Sequence, residues 1–295
     1  MKKHRAALAA ALTTALALAL TACGTDDAPG SEQRPGRDSA PTALSHIHGV
    51  GASAGKLYVA THEGVYTPGA DGRPTLVGER RDDFMGFTVT PEGAFLASGH
   101  PAPGTGGPSN LGLIASTDEG ATWTTRSLGG EVDFHSLDTS ADATVYGYDS
   151  TNGRLRVSRD GIAWEDRAEL RALDIAVAPA APGTVLATTE QGVVRSTDDG
   201  RTFGRPLSGQ LVAYVSWGAP DALFGVDPDG VLLRSADSGA TWRRVSTVPG
   251  GAPQALTALD ARRLLVATQD GVYESVDGGT SFTRRMTVAS GGDGH

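Results

Sequence analysis

The sequence predicts an all-β protein, a six-bladed β-propeller of four-stranded antiparallel blades. Three observations lead there. Glycine numbers 40 and proline 16 in 295 residues, too many helix-breaking positions for a helical fold. A short Ser/Asp/Gly/Thr pattern recurs along the chain at intervals of 42, 38, 39 and 40 residues. Each interval also holds four short apolar runs, the layout of a blade. The net charge of −9 excludes a broad nucleic-acid surface, which needs a basic face.

The chain opens with Lys2, Lys3 and Arg5, followed by a largely apolar run from Ala6 to Leu20. That run is too short to span a membrane comfortably and fits a signal peptide. It ends in Leu20-Thr-Ala-Cys23, which resembles the lipobox of bacterial lipoproteins. The resemblance implies that residues 1–22 are removed and that Cys23, the only cysteine, carries a lipid. It places the protein in the cell envelope, anchored to the outer side of the cytoplasmic membrane. Residues 23–43 are rich in Gly, Pro, Ser, Asp and Ala and read as a disordered tether. The body of the propeller is expected over residues 44–288 and a flexible tail over 289–295.

The repeats are Ser116-Thr-Asp118-Glu-Gly120-Ala-Thr122-Trp123, Ser196-Thr-Asp198-Asp-Gly200-Arg-Thr202-Phe203, Ser235-Ala-Asp237-Ser-Gly239-Ala-Thr241-Trp242 and Ser275-Val-Asp277-Gly-Gly279-Thr-Ser281-Phe282. A shortened copy runs from Ser158 through Asp160 and Gly161 to Trp164. The pattern resembles the Asp-box, or BNR repeat, of the sialidase-like superfamily, whose members are often labelled glycosyl hydrolases. Its chemistry is that of a turn. The Asp carboxylate accepts backbone N–H groups, the glycine supplies a positive φ, and the aromatic packs between repeats. Asp118, Asp160, Asp198, Asp237 and Asp277 are therefore read as structural, and the pattern lacks the further acids of a calcium EF-hand loop.

The repeats parse into blades. The last is expected to use Ala255–Leu259, Leu264–Thr268, Val272–Ser275 and Ser281–Arg285, and the first His46–Val50, Leu57–Thr61, Val65–Thr67 and Pro74–Val77. The second blade is expected to start at Asp83, the third at Asp133, the fourth near Leu173 and the fifth near Val212. Residues 165–177 are read as a blade-to-blade connection followed by an inner strand. A closed ring removes exposed sheet edges, and a monomer is expected.

If the repeats occupy the turns between third and fourth strands, the starts of inner strands and the ends of second strands gather on the opposite face. Five histidines map there. His46, His48 and His135 open inner strands, and His62 and His100 end second strands. His46 and His48 share one side of a strand by its period of two. Aligned inner strands put His48, Met85 and His135 at one level, with His46, Asp83 and Asp133 above them. Ile175, Ser216 and Thr257 are expected at the lower level in the remaining blades. Imidazoles with a carboxylate or a thioether suit zinc or copper. A channel whose histidines bond to backbone, or a bound glycan or other polar ligand, are the alternatives.

The superfamily resemblance implies glycosidase chemistry, but it does not transfer residue by residue. Sialidases need an arginine triad, and no arginine lies in the expected inner strands; Arg80, Arg81 and Arg171 lie in crossings. The Phe-Arg-Ile-Pro signature is absent, which argues against an exo-sialidase. For another glycoside hydrolase the candidate carboxylates are Glu63, Asp83, Asp133 and Glu190, while Asp149, Asp227 and Asp270 read as turn residues. No nucleophile elbow and no phosphate-binding loop is found, and the Pro/Gly-rich segment from His100 to Asn110 is a candidate lid. A ligand-binding propeller leads this reading; a glycoside hydrolase and an envelope protein scaffold are its alternatives.

Overall fold

The computed structural model describes residues 44–288 except Pro182. The signal segment, Cys23, the tether and the tail lie outside the described residues. The described chain contains strands and turns and no helix.

Six antiparallel sheets follow one another along the chain. The first blade is β1 (Ile47–Ser53), β2 (Lys56–Thr61), β3 (Gly64–Pro68) and β4 (Pro74–Leu76). The second is β5 (Asp83–Val89), β6 (Phe95–His100), β7 (Leu113–Ser116) and β8 (Thr124–Ser127). The third is β9 (Phe134–Thr139), β10 (Val145–Asp149), β11 (Arg154–Ser158) and β12 (Glu165–Glu169). The fourth has β13 (Asp174–Val177), β14 (Val185–Thr189) and β15 (Gly192–Ser196). The fifth is β16 (Tyr214–Trp217), β17 (Leu223–Val226), β18 (Val231–Ser235) and β19 (Arg243–Thr247), and the sixth β20 (Pro253–Ala258), β21 (Leu264–Thr268), β22 (Gly271–Ser275) and β23 (Thr283–Thr287).

Two details differ from the sequence reading. Residues 165–169 are not a connection: they form β12, the outer strand of blade three, which pairs with β11 through Arg154 and Glu169. In blade four the outer segment touches β15 at two places, Gly204 N–H to Arg195 O and Leu207 N–H to Val193 O. Pro206 between them has no N–H to give, so that rung is missing and the sheet counts three strands.

Six apolar clusters fill the six gaps between blades. Phe84, Phe87 and Phe95 pack with Tyr58 and Val65 between blades one and two. Phe134 lies with Leu96 and Leu113 between two and three, and clusters of the same kind fill the next three gaps. The ring closes where Ile47, Val50 and Tyr66 meet Leu265, Val272 and Met286. Burying a side chain such as Phe134, fully enclosed here, is worth roughly 1.5–3 kcal/mol. Among the described residues no strand is shared at the closure.

Polar staples around the axis do the stitching instead. A side-chain oxygen on one blade accepts a backbone N–H from the next: Ser98 from Phe134 (2.9 Å), Ser136 from Ile175 (3.2 Å), Asp138 from Val177 (2.7 Å), Asp174 from Val215 (2.9 Å) and Ser216 from Ala258 (2.9 Å). Gln254 completes the circle by accepting Ile47 N–H at 3.2 Å, and Thr257 donates to Val50 O at 2.6 Å.

The repeated turns share one hydrogen-bond scheme. Ser196 Oγ donates to Asp198 Oδ1 at 2.7 Å and accepts Gly200 N–H at 2.9 Å. Thr202 then donates both its N–H and its hydroxyl to Asp198, at 2.9 and 2.7 Å. Asp118, Asp237 and Asp277 repeat it. Asp160, in the short copy, accepts the N–H groups of Ile162 and Ala163 instead. These donors hold Asp118, Asp198 and Asp277 down to about 2, with hydroxyl bonds the largest cause. In the four full copies the residue before the glycine also has a positive φ, including the non-glycines Glu119, Asp199 and Ser238. The closing aromatics, Trp123, Trp164, Phe203, Trp242 and Phe282, each pack on the cluster between their own blade and the preceding one.

Candidate metal centre

The inner strands all begin with the same irregularity. In β1, Ile47 pairs with Thr61 and Gly49 with Ala60, which leaves His48 as a bulge. Met85 is skipped in the same way between Phe84 and Gly86, His135 between Phe134 and Ser136, and Gln254 between Pro253 and Ala255. Leu173 and Ala213 hold the corresponding place in blades four and five, where each donates its N–H to the carbonyl of a second-strand residue, Thr188 or Val226, already paired with its neighbour. Bulges re-aim side chains. Here they produce one ring of six: His48, Met85, His135, Leu173, Ala213 and Gln254.

The level of His48, Met85 and His135 is therefore as the sequence reading has it. The remaining three members are not. Ile175, Ser216 and Thr257 lie two or three residues further along their strands than Leu173, Ala213 and Gln254. They line the central channel of ≈ 500 Å³, together with Asp138, Asp174, Tyr214 and Trp217. His48 and His135 border this channel as well, at the end where the inner strands begin.

His46, His48 and His62 converge. One ring nitrogen from each can be chosen so that all three lie within 4.8 Å of one another, and the ring centres of His46 and His62 are 4.6 and 4.5 Å from that of His48. His48 Nε2 and His62 Nε2 are 3.3 Å apart. Asp83 Oδ1, on the next blade, lies 2.8 Å from His62 Nδ1. A carboxylate only accepts, so Nδ1 carries a proton, and in the neutral ring Nε2 is the nitrogen that presents its lone pair. Burial, and then the neighbouring His46, His62 and His135, push His48 down to about 3. Burial and His62 also lower His46 against the pull of Asp83. Both imidazoles are thus neutral at pH 7, the state in which they ligate metals. The Nδ1 of His46 is buried and lacks a hydrogen-bond partner.

The other two histidines gather on Asp133. His135 Nε2 lies 2.6 Å and His100 Nε2 3.3 Å from Asp133 Oδ2. Within the lid candidate, His100 Nδ1 lies 3.0 Å from Ser109 O.

The carboxylates singled out for hydrolysis have other occupations. Asp83 and Asp133 face imidazoles. Glu63 accepts the Ser45 hydroxyl at 2.5 Å, and Glu190 is exposed on blade four. Asp149, fully buried, accepts from Asn152 and Arg156, Asp227 closes its turn on Asp229 and Val231, and Asp270 holds Tyr273 and Arg284. No arginine or lysine lies in any of the six inner strands.

Two acids of the axis escaped the sequence reading. Burial pushes Asp138 up to about 7 and Asp174 up to about 6, against their backbone and hydroxyl bonds. Their signal was a carboxylate inside an apolar strand, in Leu137-Asp138 and Asp174-Ile175. Each is a staple between blades.

No family model matches the chain. A xyloglucanase of Hypocrea jecorina (strain QM6a) is 32% identical over 128 residues, which cover 40% of this chain and 15% of that enzyme. The chain thus spans a small part of the curated relative it matches. Among solved structures, an ancestral GH74 enzyme aligns with a TM-score of 0.53 at 14% identity, over 83% of this chain and 38% of that one. A virginiamycin B lyase from Staphylococcus aureus aligns with a TM-score of 0.55 at 14% identity, over 82% and 85%. The structural likenesses concern the propeller fold, and glycoside hydrolases stand among the proteins this chain is similar to.

Proposed function

We propose that this protein is a propeller that binds a transition-metal ion, zinc or copper, at its axial mouth, through His46, His48 and His62. The observation that carries the reading is the convergence of three ring nitrogens within 4.8 Å, two of them from neutral imidazoles. The 3.3 Å between the Nε2 atoms of His48 and His62 supports it further. With bonds of about 2.0–2.1 Å, the ligand–ligand edge of a tetrahedral site is about 3.3–3.4 Å. Three protein ligands leave the fourth position for a water, a substrate or a donor from another molecule. Cys23 as a lipid anchor, the Asp-box identity of the turns and the envelope location complete this reading, and all three rest on sequence motifs. Metal content of the purified protein after incubation with zinc or copper and dialysis tests it. At least one equivalent is expected; less than about a tenth of an equivalent, where a folded site should fill, ends it.

The likeness to a xyloglucanase favours a second reading, a glycoside hydrolase using far-face carboxylates. A panel of xyloglucan oligosaccharides and chromogenic glycosides, assayed with Glu63, Asp83, Asp133 and Glu190 each changed to Ala, decides it. Turnover lost in two of the four variants establishes it.

A further inference from the structure

The mouth contains its own pattern twice. In blade one the residue two before the bulge is His46, the bulge is His48, and the residue after the paired Thr61 is His62. The same three places in blade two hold Asp83, Met85 and His100, by the registers of the two sheets. The carboxylate behind the imidazole repeats too. Asp83, starting the inner strand of blade two, faces His62 of blade one, and Asp133, immediately before that of blade three, faces His100 of blade two.

The second copy differs in one informative way. His100 Nδ1 meets a carbonyl, Ser109 O, and a carbonyl only accepts. The Nδ1 proton is therefore spent there, and a neutral His100 turns the lone pair of Nε2 toward Asp133 Oδ2, 3.3 Å away. That oxygen already accepts a hydrogen bond from His135 Nε2 at 2.6 Å. Two acceptors facing each other are reconciled either by a proton on Nε2 or by a metal cation between them. Asp133 is 3% exposed, and its Oδ1 is buried with no hydrogen-bond partner among the described residues, an unfavourable state for a carboxylate oxygen. The Nε2–Oδ2 separation again matches a tetrahedral edge of about 3.3–3.4 Å.

We propose that the mouth holds a second transition-metal ion, one blade on from the first, bound by His100 Nε2 and Asp133. Met85 stands where His48 stands at the first position, and a thioether there selects copper over zinc. The proposal rests on the metal-binding reading of the mouth and adds a separate ion to it.

Copper loading followed by elemental analysis and electron paramagnetic resonance separates the two. Wild type is expected to take two equivalents and to show magnetic coupling between two Cu(II) ions. His100→Gln is expected to keep one equivalent and lose the coupling, and His48→Gln to keep the other. Met85→Leu is expected to retain two sites and to lower the preference for copper over zinc at one of them. A wild-type stoichiometry of one that His100→Gln leaves intact overturns the second ion and spares the first. A single equivalent lost in both variants also overturns it, since one shared ion explains that. No binding by wild type removes the metal reading itself, leaving an imidazolium–carboxylate pair between His100 and Asp133. The side chain of His100 is 41% exposed, and thermal melting monitored by circular dichroism shows that the variant is folded.

Discussion

The two faces of the propeller are made from the same strands by opposite rules. On one face, Asp118, Asp198, Asp237 and Asp277 make the same bonds in four blades. On the other, equivalent places hold His48, Met85, His135, Leu173, Ala213 and Gln254, a mixture of imidazole, thioether, aliphatic and amide side chains. The first face repeats because each blade must close its outer hairpin in the same way. The second varies because a bulge fixes only where a side chain points, leaving its identity free. Uniformity marks what folding needs, and departure from it marks where chemistry is gathered.

That comparison is most sharply broken at His62. His62→Ala removes a proposed ligand outright. It should weaken zinc or copper binding by more than about 100-fold, the upper range for losing only a supporting carboxylate, with the melting temperature nearly unchanged. Isothermal titration with each metal and a thermal melt make the check. An unchanged affinity would place the ion elsewhere. Asp83→Asn is the milder form of the same test. It leaves an acceptor but no charge behind His62, and about a 10–100-fold loss of affinity is expected. A larger loss than in His62→Ala would mean that Asp83 binds the ion itself.

How much of this the sequence contains differs between the faces for the same reason. Repeats are legible because they recur: Ser116, Ser196, Ser235 and Ser275 announce the blade period, and with it the ring. The convergence of His46 and His62 follows from the pairing of β1 with β2, and the ring then brings Asp83 near His62 and Asp133 near His100. What stays hidden is register. A bulge is one extra residue in one strand, and no local composition distinguishes Gln254 or Leu173 as members of the mouth while Thr257 and Ile175 belong to the channel. The staples are hidden likewise. Asp138 reaches across to Val177 N–H, on the next blade, and a sequence does not tell which backbone group of a neighbouring sheet lacks a partner. The strand at 165–169 is obscured by its charge. An outer strand that faces solvent needs no apolar period, so Glu165, Asp166, Arg167 and Glu169 leave little trace of it.

The acids of the two regions should also answer pH in opposite senses. Asp138 and Asp174 have folded pKa values raised to about 7 and about 6. Their unfolded forms ionise near pH 4, so stability falls as pH rises from about 4 to about 7, where the unfolded state gives up protons the folded state keeps. Asp138→Asn removes this term. It should flatten the decline by on the order of 1–2 kcal/mol, allowing for solvent in the channel, at 1.36 kcal/mol per pKa unit. Urea melts at pH 5 and pH 8 test it, and equal slopes for wild type and variant would show that Asp138 is ionised throughout. The turn acids have lowered values, so their contribution is fully present above their unfolded pKa and fades as pH falls toward about 2.

The smallest effects should come from single repeat turns, and their sum carries the information. Asp198→Ala removes acceptors for Ser196 and Thr202 in one solvent-facing hairpin. A modest drop in melting temperature is expected, with metal affinity unchanged. Asp118 and Asp277 occupy the same turn on other blades and share no bond with Asp198 or with each other. Changes at such independent sites add within about 0.3–0.5 kcal/mol, so the triple variant should lose the total of its three parts. The pair His48→Ala and His62→Ala should behave otherwise. Both act on one ion, and after either is lost the second has little left to remove. Calorimetric melts of the turn variants beside metal titrations of the histidine pair therefore measure the same distinction twice. Strong non-additivity among the turns would mean that the hairpins act through a common ring strain and are not independent closures of separate blades.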